Sequence, residues 1–183
     1  MTTAATVLLS GGIDSAACAH LLKVDGKSVR AVFVDYGQIS ATPEKASAIA
    51  ISQSIEIPLE IISAHAPLSF GTGEIKGRNA FLVLSALCLC RTKKGLIALG
   101  IHSGTRYYDC SPAFCSLIDR VVAEYTDGLV RVVAPFIGWS KGDVVDYFRK
   151  AGLPFESTYS CEGGTIPPCG RCLSCQDRKI IGC

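Results

Sequence analysis

Four cysteines near the C-terminus, Cys161, Cys169, Cys172 and Cys175, are spaced C-x7-C-x2-C-x2-C. Four thiolates so placed can close a tetrahedron round one zinc ion, with each C-x2-C turn setting two sulfurs on the same ion. Gly163, Gly164, Pro167, Pro168 and Gly170 let the intervening loop bend. An iron–sulfur cluster also takes four thiolates; two disulfides or chance placement complete the alternatives. With all four sulfurs engaged no position is open to water, so the expected metal is a structural Zn2+ that pins the tail against the sheet. A second locus lies near the N-terminus, where Leu9 is followed by Ser10, Gly11, Gly12, Ile13, Asp14 and Ser15. Two glycines allow a tight turn that brings backbone N–H groups to an anion. Two serines add donors, and a following helix adds the positive end of its dipole. Read so, SGGIDS is a phosphate cradle; read blandly, it is a strand-to-helix turn. It lacks the Gly-Lys-Ser/Thr ending of a Walker A loop and is not G-x-G-x-x-G.

The elements that must position these loci follow from hydrophobic periodicity. Residues 5–9, 29–34, 59–62, 96–99 and 130–133 are short apolar runs that read as strands covered on both faces. Between them, residues 15–23, 43–54, 79–93, 113–125 and 141–151 read as helices. This alternation predicts an α/β fold with a mostly parallel five-stranded sheet, right-handed crossovers and helices on both sides. The glycine loop then falls at the carboxyl end of the first strand, where open sheets of this kind bind ligands. A domain of residues 1–158 carries the loop, and 159–183 is a metal-binding segment packed on it. The chain of 183 residues, 49% hydrophobic and 19% charged, suits one folded unit and excludes disorder. A net charge of +2 leaves no basic excess for coating nucleic acid. The N-terminal residues have no basic region, and no apolar run reaches the ~18 residues of a membrane span. A cytoplasmic protein is therefore expected, with Cys18, Cys88 and Cys90 packed in the core and Cys183 a free terminal thiol. His20, His65 and His102 fit no ligand or catalytic spacing, and the Gly-rich 66–77 is expected to be a mobile loop.

SGGIDS resembles the PP-loop of ATP pyrophosphatases, which split ATP between the α- and β-phosphates to adenylate a substrate. Joined to the four-cysteine tail, it resembles the QueC family, the 7-cyano-7-deazaguanine synthases of queuosine biosynthesis. Further likenesses run from about Val7 to Arg178: VDYGQ (34–38), GRNAFL (77–82), Tyr108-Asp109-Cys110 with Phe114, and APFIGWSKGDVV (134–145). The resemblance implies a Rossmann-like fold of the adenine nucleotide alpha hydrolase type, and a homodimer. Its substrates would be ATP with Mg2+, 7-carboxy-7-deazaguanine and ammonia. By the same resemblance the adenosine would rest near Asp35 and Tyr36. Arg78 and Asn79 would bind a phosphate or purine edge, although Asn79 also reads as a helix N-cap. Asp109 would hold Mg2+ or accept from the base's amine, or else sit in a solvated turn. Lys141 would reach the phosphates, or else face solvent from the first turn of a helix capped by Ser140. Asp14, Ser15, Lys141 and Asp109 are thus the candidate catalytic residues.

The chain is shorter than the family it resembles. The shortage falls at 64–76 and at 102–108, where a family Asp has no counterpart, and Ile39-Ser40-Ala41 replaces basic residues. The adenylation half is intact while the deazaguanine pocket is trimmed. Three other readings stand beside the synthase: a QueC-like anti-phage enzyme joining the activated deazaguanine to a protein amine, a PP-loop enzyme of tRNA modification, and a zinc-stabilised nucleotide-binding module without activity.

Overall fold

The computed structural model describes residues 2–64, 73–90 and 92–182. The five apolar runs form strands β1 (Ala4–Leu8), β2 (Ser28–Asp35), β3 (Leu59–Ser63), β4 (Gly95–Ala98) and β5 (Val130–Val133). They pair in parallel throughout, in the order β3-β2-β1-β4-β5. The helices are α1 (Ile13–Val24), α2 (Ala41–Ser54), α3 (Arg78–Leu89), α4 (Pro112–Tyr125), α5 (Lys141–Lys150) and α6 (Leu173–Ile180). Among the described residues no helix is long and apolar enough to cross a membrane.

The central strands β1 and β2 are largely buried on both faces, which is why they read as mainly apolar runs, while the edge strand β3 leaves Glu60 and Ile61 exposed. Ala5, Val7, Ala31 and Phe33 face one layer with Ala16 and Ala17 of α1, Ala48 and Ile51 of α2, and Val144 and Phe148 of α5. Leu8, Ile97 and Val132 face the other, against Val83 and Ala86 of α3 and Phe114, Ile118 and Val122 of α4. Small alanines let α1 lie close to the sheet and also favour the helix. Phe33, Phe136 and Phe148 are fully enclosed, and burying a side chain of that size is worth about 1.5–3 kcal/mol. The chain leaves β1 toward β2 and β3, then returns to place β4 on the other side of β1. The crevice at the carboxyl ends of β1 and β4 is therefore the switch point of the sheet.

Element existence follows the sequence pattern, and strand limits differ by a residue or two. Three expectations need correction. Helix α3 stops at Leu89 rather than near Lys93, because Arg30 reaches up from β2 to take the Cys90 carbonyl (3.2 Å) and the Thr92 hydroxyl (2.9 Å). Cys18 and Cys90 are buried as expected, but Cys88 lies on the exposed side of α3. Helix α6 arises inside the cysteine tail, where the ligand spacing masked it. His65, Cys183 and positions 66–72 of the Gly-rich segment lie outside the described residues.

Candidate functional site

The loop after β1 is wound on itself. The Ser15 hydroxyl donates to the Gly12 carbonyl (3.0 Å) and accepts from the Ser10 N–H (3.2 Å), while the two serine hydroxyls lie 3.2 Å apart. Gly12 caps α1 with no side chain over the first-turn N–H groups, so they open into a cleft of about 720 Å3. Leu9, Ser10, Gly12, Ile13, Asp14 and Ser15 line that cleft. Gly11 does a different job. Its φ is +83°, and a Cβ there would sit 2.6 Å from the Glu44 carbonyl and 2.8 Å from Ser47. Its own carbonyl accepts from the Tyr159 N–H at 2.9 Å. Gly11 is thus the junction at which loop, α2 and tail meet.

Across the cleft, α5 begins with a reciprocal cap. The Ser140 hydroxyl accepts from the Asp143 N–H (3.2 Å), and Asp143 accepts from the Ser140 N–H (2.8 Å). The cap fixes Lys141 as the first residue of the helix. Its Nζ donates to both Asp14 carboxylate oxygens, at 2.6 and 2.8 Å. Lys141 therefore turns into the cleft, and the solvent-facing alternative does not hold. His102, read from the sequence as an ordinary position, is buried beside this pair. Its Nε2 lies 3.7 Å from Asp14 Oδ2, and its Nδ1 accepts from the Gly104 N–H at 3.0 Å. Burial, helped by Lys141, pushes the imidazole pKa below its ordinary value despite the pull of Asp14. Its sequence signal was position, not spacing: two residues past Gly100, in the loop after β4. Gly100 is itself packed so closely that a Cβ would lie 2.6 Å from the Asp14 carbonyl.

The other sequence candidates divide. Tyr36, Arg78 and Asn79 line the cleft. The Tyr36 ring meets Phe81 edge-on at 6.3 Å; burial raises its phenol pKa while the Arg78 guanidinium pulls it down. Asp35 is outside the lining and accepts from the Gly37 N–H (3.1 Å), shaping the turn after β2. Asn79 is not an N-cap. Gly77, at φ +79°, holds that place, and the Asn79 side chain donates instead to the Asp109 carbonyl at 2.8 Å. Asp109 is not in a solvated turn either: it is buried, and its carboxylate accepts from the Asn79 N–H at 3.1 Å. It ties the start of α3 to the loop after β4 and lies outside the cleft lining. Cys110 does line the cleft, but burial and the neighbouring Asp109 push its thiol up to about 11, which does not make a nucleophile. Glu44, which no motif flagged, is half-buried in the wall. Its carboxylate accepts from Gln38 (3.0 Å) and Ser40 (2.8 Å), and burial raises its pKa.

The four tail cysteines converge, with one potential ligand atom from each lying within 4.8 Å of all the others. Cys161 and Cys175 are buried. The Cys169 N–H points at the Cys161 sulfur (3.3 Å) and the Cys172 N–H at the Cys169 sulfur (3.4 Å). Burial pushes the Cys161 thiol up, but the Cys169 N–H, the Thr165 hydroxyl and the Gly163 N–H outweigh it and hold the pKa well below the thiol range. Burial raises that of Cys175; four cysteine sulfurs held this close are a set that could hold a metal ion. The donor set fits a closed, soft-metal site. The tail is docked on the loops rather than on the sheet. Gly164 sits where a Cβ would be 2.4 Å from the Ile39 carbonyl. Arg178 of α6 donates to Thr158 (2.9 Å) and to the Phe155 carbonyl (3.2 Å). Glu162, Asp177 and Arg178 thereby become part of the cleft wall.

Comparison with known proteins agrees with this construction. A curated relative from Sulfurihydrogenibium, named 7-cyano-7-deazaguanine synthase, is 32% identical over 94% of this chain and 91% of its own. One from Aquifex aeolicus with the same name is 31% identical over 94% of this chain and 93% of its own. The solved U34-tRNA thiolase NcsA from Methanococcus maripaludis, described with its 4Fe-4S cluster, shares the fold at a TM-score of 0.55. That match has 13% identity and covers 99% of this chain and 65% of that one. The family model described as queuosine biosynthesis protein QueC matches residues 4–74 and 69–180. With its loop, cleft and cysteine tail all inside those limits, the chain belongs to the QueC family.

Proposed function

We propose that this protein is an ATP-dependent ligase that converts 7-carboxy-7-deazaguanine, with ammonia, to 7-cyano-7-deazaguanine. The observation that carries the reading is the Asp14–Lys141 pair, held at 2.6 Å over a loop whose N–H groups open into the cleft, in a chain of the QueC family. The substrate carboxylate attacks the α-phosphate of MgATP, releasing pyrophosphate and leaving an acyl adenylate. Ammonia displaces AMP to give the amide. A second ATP adenylates the amide oxygen, again releasing pyrophosphate, and loss of AMP together with the amide protons leaves the nitrile. The residues bind and neutralise: the α1 N–H groups with Ser10 and Ser15 receive the phosphates, and Lys141 transfers its charge from Asp14 to them. Asp14 then faces the cation that accompanies the nucleotide. Such positioning and charge stabilisation is what phosphoryl transfer asks of a protein. Tyr36 and Arg78 flank the nucleotide. Asp35 and Asp109 act at one remove, by shaping the turn after β2 and the start of α3.

The cysteine tail, residues 159–183, is a zinc segment; its metal would cross-link Cys161, Cys169, Cys172 and Cys175 and hold the Tyr159–Gly11 contact. The protein acts as a homodimer in the cytoplasm, without nucleic acid. The names of the relatives support the nitrile synthase over a protein-amine acceptor or a tRNA substrate. The test is incubation with MgATP, 7-carboxy-7-deazaguanine and ammonium, followed by mass spectrometry. AMP with amide and nitrile is expected. Asp14→Asn should abolish turnover and leave the zinc content unchanged; nucleotide turnover without any deazaguanine product would refute the assignment.

A further inference from the structure

We propose that His102 is a positioning residue that keeps Asp14 in place while Lys141 passes from that carboxylate to the phosphates of MgATP. The inference rests on the adenylation chemistry proposed above. Lys141 Nζ holds both oxygens of Asp14, at 2.6 and 2.8 Å. An ammonium so engaged cannot serve a phosphate until it lets go, and the carboxylate it leaves then faces incoming anionic charge. Among the described residues, His102 is the other cationic or imidazole side chain paired with Asp14, at 3.7 Å from Oδ2.

The ring is built to donate there. The Gly104 N–H points at Nδ1 from 3.0 Å, so Nδ1 is the acceptor and the proton of the neutral imidazole is on Nε2, toward Asp14. Gly104 must be glycine for this seat: a Cβ would lie 2.9 Å from Cε1 of the ring and 3.0 Å from Nδ1. The side chain is only 9% exposed, against 28% for Asp14. A distance of 3.7 Å is a loose contact, of the kind that tightens when the reacting complex forms. A neutral N–H orients the carboxylate without neutralising it. Asp14 thus keeps its charge for the cation brought in with the nucleotide.

His102→Phe keeps the ring's bulk and removes the donor, whereas His102→Gln offers an N–H near the place of Nε2. The measurements are KM and kcat for MgATP from AMP release at saturating 7-carboxy-7-deazaguanine, together with MgATP binding by calorimetry, melting temperature and zinc content. For H102F the expected result is a KM for MgATP raised about 10- to 100-fold, the worth of one hydrogen bond to a charged group. Its kcat should fall less, with melting temperature and zinc unchanged; H102Q should recover most of the loss. An H102F enzyme with the wild-type KM, or an H102Q no better than H102F, overturns the proposal. If H102F does not fold, Gly104→Ala decides: it crowds the ring while leaving the imidazole in the chain, and an unchanged KM there is equally fatal. A wild type that releases no AMP would remove the proposed function. The calorimetric comparison of wild type with H102F would then still decide whether His102 matters to MgATP.

Discussion

Asp14 shows how much a single side chain depends on its neighbours. A carboxylate at the mouth of the proposed phosphate cradle would by itself repel the ligand, and Lys141 covers it. Lys141→Met should therefore weaken MgATP binding through two effects, loss of a phosphate partner and an uncovered Asp14, and the loss should read in calorimetry. Gly11 makes a different demand. Its φ of +83° alone costs any other residue about 1–3 kcal/mol, and the contact with the Glu44 carbonyl adds to that. Gly11→Ala is expected to lose at least this much stability in urea unfolding. Glu44 supplies a pH dependence. Burial raises its pKa in the folded protein above the ordinary 4.5, so the folded state holds the proton more tightly than the unfolded one. Its contribution to stability is greatest at low pH and is lost as pH rises through the folded-state value. Glu44→Gln should flatten that decline when unfolding is followed from pH 4.5 upward.

At the scale of elements, two helix starts aim the chemistry. Helix α1 begins at a glycine that leaves its N–H groups open, and α5 begins with a closed capping box that fixes Lys141. The first end is left free for a ligand and the second is satisfied by its own side chains. Ser140→Ala should cost about 1 kcal/mol of stability, and by loosening the first turn it should also raise the KM for MgATP. The 3.6-residue pattern made α4 and α5 legible, since each buries one face, Phe114, Ile118 and Val122 in the first and Val144, Val145 and Phe148 in the second. Helix α6 was not legible because its eight residues overlap the cysteine spacing, so the ligand pattern hid the helical one.

At the scale of the molecule, the tail joins what lies far apart in sequence. Tyr159 bonds to Gly11, Gly164 packs on the β2–α2 connection, and Arg178 braces the chain before the cysteines. Removing the metal with a chelator, or replacing Cys161 by Ser, should release this clamp. Limited proteolysis is then expected to cut within 159–182, and MgATP binding should weaken even though no ligand cysteine is a phosphate partner. A wild-type chain should carry one zinc by elemental analysis and sediment as a dimer.

The sequence by itself determined the parallel α/β sheet, the glycine loop after its first strand, the four-cysteine cluster and the family. Each rests on local pattern: strand runs, glycines at a turn, cysteines at fixed spacing. It also named Asp14 and Lys141 as candidates, but not that they are partners, because 127 residues separate them. Only the tertiary structure decided which candidates face the cleft. It turned Asn79 and Asp109 toward each other, gave Gly11 to packing, and brought His102 and Glu44 into the wall. The physical reason is the sheet order. Placing β4 beside β1 superposes loops from opposite halves of the chain, and no spacing along the sequence encodes that neighbourhood.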